Sequence, residues 1–284
     1  MTDLPLRREV QGELFRINAL PYLPRLRLMA DHLILCCGVA FMCGPVAYLL
    51  WQLVAGLSIA QIGQTFLDLW RDGLGSVGIS GAAMMANSLV LAFGVAVVKL
   101  CHALPAAYAL VWFRLPAPGL IYGAILIAMF FPVETRVLPT FLVTAKLGLL
   151  NSYTGMILPV AASGLGVLVF TQFMKQLPPA LIEAARLDGA GPLRILWDIV
   201  IPMSAPMAAS LFTVLFVLGW NQYLWPLMVA TTSVEHDTLV RGISYAGAGS
   251  RAGLALALLA MLPPVLVLIC AQRWMLRGLT VGIH

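Results

Sequence analysis

Lys99 places a full positive charge among apolar neighbours, with no charged residue from 73 to 98 before it and Arg114 fifteen residues after it. At 1.5 Å per helical residue that spacing is roughly 22 Å, which puts Lys99 past the middle of a bilayer span, toward its outer side. Insertion scales make a central lysine unfavourable by about 2.5–3.5 kcal/mol, so the side chain must face protein or a wet cavity, or snorkel outward. Two readings stay open: an electropositive wall for an anionic solute, or a lysine paired with a carboxylate or carbonyls of a neighbouring subunit.

Glu134 and Arg136 follow Pro132, which breaks or kinks a helix and so sets them near the outer end of a span. An internal ion pair, or a contact to a protein outside, is expected of them ahead of solute contact. Asn221, Gln222 and Tyr223 lie between Trp220 and Trp225, offering polar groups beside rings. That suits a polyol pathway, and it also suits a belt of interfacial aromatics. His102, one turn from Lys99, reads equally as a satisfied core residue or a pathway group.

Catalysis and nucleotide binding are not expected of this chain. Gly73, Gly75 and Gly78 match a dinucleotide fingerprint by letter, but no strand precedes them and no βαβ unit follows. Lys99, Lys146 and Lys175 follow Val98, Ala145 and Met174, so the Gly-Lys step of a phosphate-cradling loop is missing. Histidines 32, 102, 236 and 284 have no zinc spacing, and no Ser-His-Asp arrangement can be argued. Cys36, Cys37, Cys43, Cys101 and Cys270 all fall in apolar stretches and read as small buried hydrophobes.

A different kind of chemistry sits between residues 175 and 205. Pro178 and Pro179 suit a helix start and Gly189 the left-handed residue past a helix end, so a short helix is expected over 180–188. Ala184 and Ala185 leave its surface smooth enough for another protein to approach the backbone, with Glu183 and Asp188 as flanking carboxylates. Gly191 and Pro192 then turn the chain, which enters the next span through Pro202. On these residues alone the segment is either a structural elbow or a docking knob for a partner.

The elements that must position these groups follow from composition. Charged residues make up 10% and hydrophobic residues 61% of 284 positions, so the chain belongs in a bilayer. About 20 helical residues cross the hydrocarbon core, and the charge-free runs 33–67, 73–98, 147–174, 199–234 and 252–272 exceed that, with 115–133 just short of it. Six helical spans are expected, because backbone groups in lipid must bond within their own segment and no run alternates as a barrel strand does. The expected division is a cytoplasmic N-terminal segment over 1–32 and a six-helix domain over 33–284 with a cytoplasmic loop at 175–205. With both termini inside, 11 of 17 basic residues fall on the cytoplasmic side, as retention of positive charge requires. The net charge of +5 then reflects topology and lipid headgroups, not nucleic acid.

Glu183-Ala184-Ala185, three residues, Gly189, nine residues, Ile199, one residue and Ile201-Pro202 closely resembles the EAA signature of membrane subunits in binding-protein-dependent ABC importers. The departure is Ile201, where leucine is commonest. Lys146 through Tyr153, and Gln272 through Thr280, are similar to the carbohydrate-uptake branch, the relatives of the maltose permeases. Residues 107–114, 131–140 and 219–227 further resemble the permeases of sn-glycerol-3-phosphate importers. The resemblance implies an all-α type I importer permease fold in a bacterial inner membrane. It also implies a second, homologous permease subunit, two ATP-binding subunits that carry ATP and Mg, and a periplasmic solute-binding protein, with no cofactor on this chain. Glu183, Ala184, Ala185, Asp188, Gly189 and Pro202 would couple ATPase closure to alternating access. The implied solute is sn-glycerol-3-phosphate or a glycerophosphodiester, for which Lys99 would be a suitable point charge; a sugar or oligosaccharide is the alternative. An ion-coupled secondary transporter would need ionisable sites near the midplane, where only Lys99 lies.

Overall fold

The computed structural model describes residues 23–74, 78–231, 234–247 and 249–280, with side chains described except at 23–27, 133 and 274–280. Expectations for Arg7, Arg8, Arg16 and the last four residues lie outside this set, as do those for the side chains of Arg25, Arg27 and Arg277. Two compact units divide the chain between Leu57 and Ser58.

The first unit presents α1, Leu23–Val54, whose side chains from Leu28 onward are almost all exposed and apolar. The boundary expected at residue 32 falls inside this helix. Charge marks where an apolar run begins, whereas backbone hydrogen bonding begins earlier. Its far end at Val54 also comes well before 67, since Gly56, at φ +77°, turns the chain out of the helix.

In the second unit, Ser58 and Gln61 form a reciprocal capping box that starts α2, Ile59–Arg71. Then follow α3, Gly81–Trp112, α4, Pro118–Phe130, and α5, Val133–Lys146. Next come α6, Tyr153–Ile157, extended by a 3-10 turn to Val160, and α7, Gly164–Met174. The short α8, Pro179–Leu187, and α9, Pro192–Ile195, lead through a π-helical turn, Leu196–Val200, into α10, Ile201–Trp220. Last are α11, Leu224–Val229, α12, Leu239–Ala246, and α13, Arg251–Thr280, which runs unbroken through Pro263 and Pro264. No strand occurs among the described residues.

Among the described residues four helical stretches are long and apolar enough to cross a membrane, and the total is six if each of two bent helix pairs counts as one span. One pair joins α4 and α5 at 99°, where Pro132 lacks the N–H that would continue the helix; the other joins α6 and α7 at 51°.

The centre of the second unit is α3. Met84, Ser88, Ala92, Val95, Ala96, Ala103 and Ala107 all fall on one face of a 3.6-residue helix and are fully or almost fully buried, so one stripe of the helix faces inward. Small residues let neighbours close in on it. A Cβ added to Gly219 of α10 would come within 3.1 Å of the Ala92 Cα, and one on Gly166 of α7 within 2.7 Å of the Ala103 Cβ.

Different segments are fastened to the two ends of α3. At the Gly81 end, Asn87 Nδ2 donates to the Glu235 and Asp237 carbonyls (2.7 and 2.9 Å), and Tyr153 Oη donates to Asn87 Oδ1 (2.6 Å). Beside them Asp237, 0% exposed, pairs with Arg241 at 2.7 Å. At the other end Tyr108 Oη donates to the Pro192 carbonyl and Arg186 to the Trp112 carbonyl, each at 3.1 Å. The 21 residues from Asn87 to Tyr108 separate these anchor points by roughly 31 Å, about one hydrocarbon thickness.

The five cysteines are exposed, contrary to the expectation of burial. A small apolar side chain suits a lipid-facing helix surface as well as a core, and composition does not separate the two.

Candidate functional site: a cationic cleft and a short end helix

Lys99 takes its place on the buried stripe of α3, between Ala96 and Ala103, and that register turns it inward. It lies near the middle of α3, 13 residues or about 20 Å before Trp112.

Three interruptions of helix open a cleft of about 440 Å³ around that lysine. The break at Pro132 swings α5 so that Arg136 and Thr140 reach the cleft wall. Between α6 and α7, Pro159, Val160 and Ala162 line a second side. On the third side α10 ends after Trp220, and Asn221, Gln222 and Tyr223 enter the cleft before α11 begins. Irregular backbone at membrane depth is tolerated where it borders a cavity.

Five of the six residues expected along a solute pathway therefore meet in one cleft: Lys99, Arg136, Asn221, Gln222 and Tyr223. Glu134 is exposed and does not line it. The ion pair expected between Glu134 and Arg136 does not form, and among the described residues neither Lys99 nor Arg136 has a carboxylate within 4 Å. No Asp or Glu among the described residues lines the cleft.

The rings flanking the Asn221 segment are framework, not a belt. Trp220 and Trp225 are buried; Trp220 Nε1 donates to the Ala260 carbonyl (2.9 Å), and Trp225 Nε1 to those of Gly155 and Met156 (3.2 and 3.1 Å). His102 is a satisfied structural residue: Nε2 accepts from the N–H of Ser163, the N-cap of α7 (3.2 Å), which ties α7 to α3, while Nδ1 donates to the Val98 carbonyl one turn back in its own helix (2.9 Å). Thr140 was missed, although its spacing of four from Arg136 marks it as a neighbour on one helix face.

The second feature is α8. Pro179 occupies its first turn, where a missing N–H is harmless. Its end is a Schellman cap: the Ala190 N–H donates to the Ala185 carbonyl (2.9 Å), the Gly189 N–H to that of Arg186 (3.1 Å), and Gly189 takes φ +78°. Ile182, 1% exposed, anchors the helix, while Glu183, Ala184, Asp188 and Gly189 are exposed and Leu187 stands out at 88%. Arg186, which holds the helix to the carbonyl end of α3, was not singled out in advance. Pro202 lies in the first turn of α10, immediately after the π-helical turn.

A polytopic helical chain with a polar cleft at mid-depth and a rigid helix exposed at one end is a membrane component of a solute transport system. Residues 29–281 match the family described as binding-protein-dependent transport system inner membrane component, and the chain belongs to that family. It is similar to the sn-glycerol-3-phosphate transport system permease protein UgpE of Yersinia pestis, 42% identical over 222 residues covering 76% of this chain and 79% of the relative. The protein of the same description from Pectobacterium atrosepticum is 42% identical over 218 residues, 75% of this chain and 77% of that one. Among solved structures, a bacterial ABC transporter involved in import of the acidic polysaccharide alginate matches with TM-score 0.72 at 21% identity, covering 89% of this chain and 98% of that one. That likeness shows the fold.

Proposed function

We propose that this chain is one of two homologous permease subunits of an ATP-driven ABC importer for sn-glycerol-3-phosphate, with α8 as its coupling helix. In this reading both termini and the 175–205 loop are cytoplasmic, and α8 sits in a cleft of a partner ATPase that carries ATP and Mg. Closure of the two ATPases moves α8; the tethers from Tyr108 and Arg186 pass the displacement to α3, and the π-helical turn and Pro202 pass it to α10. Glu183 and Asp188 face basic or amide groups of the ATPase, Ala184 and Ala185 allow close approach, and Gly189 ends the helix. A periplasmic binding protein delivers the solute at the opposite end, near the Asn87 and Asp237 cluster.

The observation that carries this reading is the form of α8: a helix begun by proline and ended by a left-handed glycine, held by the buried Ile182 and the Arg186 hydrogen bond, with its remaining face unfilled. A photo-crosslinking residue placed at Leu187 in the reconstituted transporter tests it. The expected result is a crosslink to the ATP-binding subunit, together with ATP-dependent uptake of sn-glycerol-3-phosphate delivered by the binding protein. Crosslinking to lipid or to a periplasmic protein alone would refute it.

A further inference from the structure

We propose that Lys99 and Arg136 form an anion site of this subunit's own, through which the phosphate of the solute passes, so that selection does not end with the binding protein. The inference rests on the reading of the chain as an importer of a phosphorylated polyol.

Two cations lie in one cleft at membrane depth, and among the described residues neither has a carboxylate partner and no Asp or Glu lines the walls. Lys99 is half-buried, and its charge is unfavourable there until an opposite charge enters; Arg136 adds a second positive charge from the exposed wall of the same cleft. A phosphate monoester carries about −1.5 to −2 near neutral pH, which matches the two cations in number. The neutral walls suit the other end of such a solute. Asn221 spends an Nδ2 hydrogen on the Val217 carbonyl (3.0 Å), leaving Oδ1 to accept, and Thr140 donates to the Arg136 carbonyl (2.7 Å), leaving its lone pairs toward hydroxyl donors. The Tyr223 hydroxyl adds a group that can donate or accept. The cleft volume of about 440 Å³ lies within the range of small-molecule pockets. A neutral polyol would leave both cations uncompensated, so the cleft rejects it.

The test uses the complete transporter in proteoliposomes with its binding protein saturated with sn-glycerol-3-phosphate. Lys99→Met and Arg136→Gln should each lower solute moved per ATP hydrolysed by a factor on the order of ten to a hundred, the loss expected when a charge-assisted hydrogen bond is removed. The subunits should still co-purify in normal ratio, and Lys99→Arg should restore most of the uptake. Unchanged solute per ATP in the double variant would overturn the site. So would loss of co-purification in Lys99→Met, because it would make Lys99 a structural partner of the other permease. Failure of the underlying reading shows in the wild type alone, as absence of sn-glycerol-3-phosphate uptake while another solute is carried.

Discussion

Replacing Gly189 by leucine separates the coupling role proposed for α8 from its folding. In the chain itself the new side chain has room, since a Cβ built at Gly189 meets no heavy atom within 4 Å. What changes is the backbone: at φ +78° a residue with a Cβ is strained by about 1–2 kcal/mol. Loosening the two capping hydrogen bonds would add about 0.5–1.5 kcal/mol each, confined to an exposed turn. The chain should therefore insert and be recovered in normal amount. Against a fitted ATPase surface the same side chain overpacks, which costs about 1–3 kcal/mol and weakens seating roughly five- to a hundredfold. Two controls divide the effect. Gly189→Asn adds a smaller side chain that tolerates the left-handed conformation, and Gly191→Ala adds a Cβ with equally open surroundings at an ordinary φ of −72°. Uptake and ATP hydrolysis in proteoliposomes should be lost for leucine, partly kept for asparagine and normal for Gly191→Ala. Wild-type uptake with leucine at 189 would sink the argument.

Tyr108→Phe removes the hydroxyl that donates to the Pro192 carbonyl, and it should leave the fold intact while lowering solute carried per ATP; an unchanged ratio would show that this tether transmits nothing. Arg241→Met would strand the buried Asp237 carboxylate and destabilise the chain by about 3–5 kcal/mol, which thermal unfolding in detergent can measure, and adding Asp237→Asn should recover much of the loss. Burial holds the Asp237 carboxyl above the usual carboxylate range, against the opposing pull of Arg241. The folded state then binds this proton more tightly than the unfolded chain, so the group's contribution is present below the ordinary carboxylate range and is lost as pH rises through the raised value; Asp237→Asn should flatten that part of the stability profile. Gly219→Leu would force α10 away from Ala92 of α3, and it should destabilise the chain by at least the 1–3 kcal/mol of ordinary overpacking, again read from thermal unfolding.

The short helix was legible in sequence because its punctuation is local: two prolines before it and a glycine after it act within their own turns. Lys99 was legible as an oddity for a similar reason, and its register on the α3 stripe turns the oddity into an address. Helix limits were not legible from charge alone. The run 33–67 contains the larger part of α1, a glycine turn and most of α2, since Gly56 turns the chain and Ser58 with Gln61 caps the next helix without carrying charge. Pro132 announces a break but not its direction, and the direction decides whether the Arg136 guanidinium meets Glu134 or the cleft. The Asp237 and Arg241 pair has i, i+4 spacing that sequence displays, yet nothing local says that Asp237 is buried and Arg241 half-buried.

The closed ends of α8 have a thermodynamic consequence. Most protein contacts made by exposed segments lose affinity because the segment must first be frozen into shape, a loss of order that is charged against binding. Here the freezing is done by proline rings and a left-handed glycine while the chain folds, long before any motor arrives. A stub prepared in this way could detach and re-engage without melting, so that in the proposed coupling role little of each stroke would be absorbed as slack.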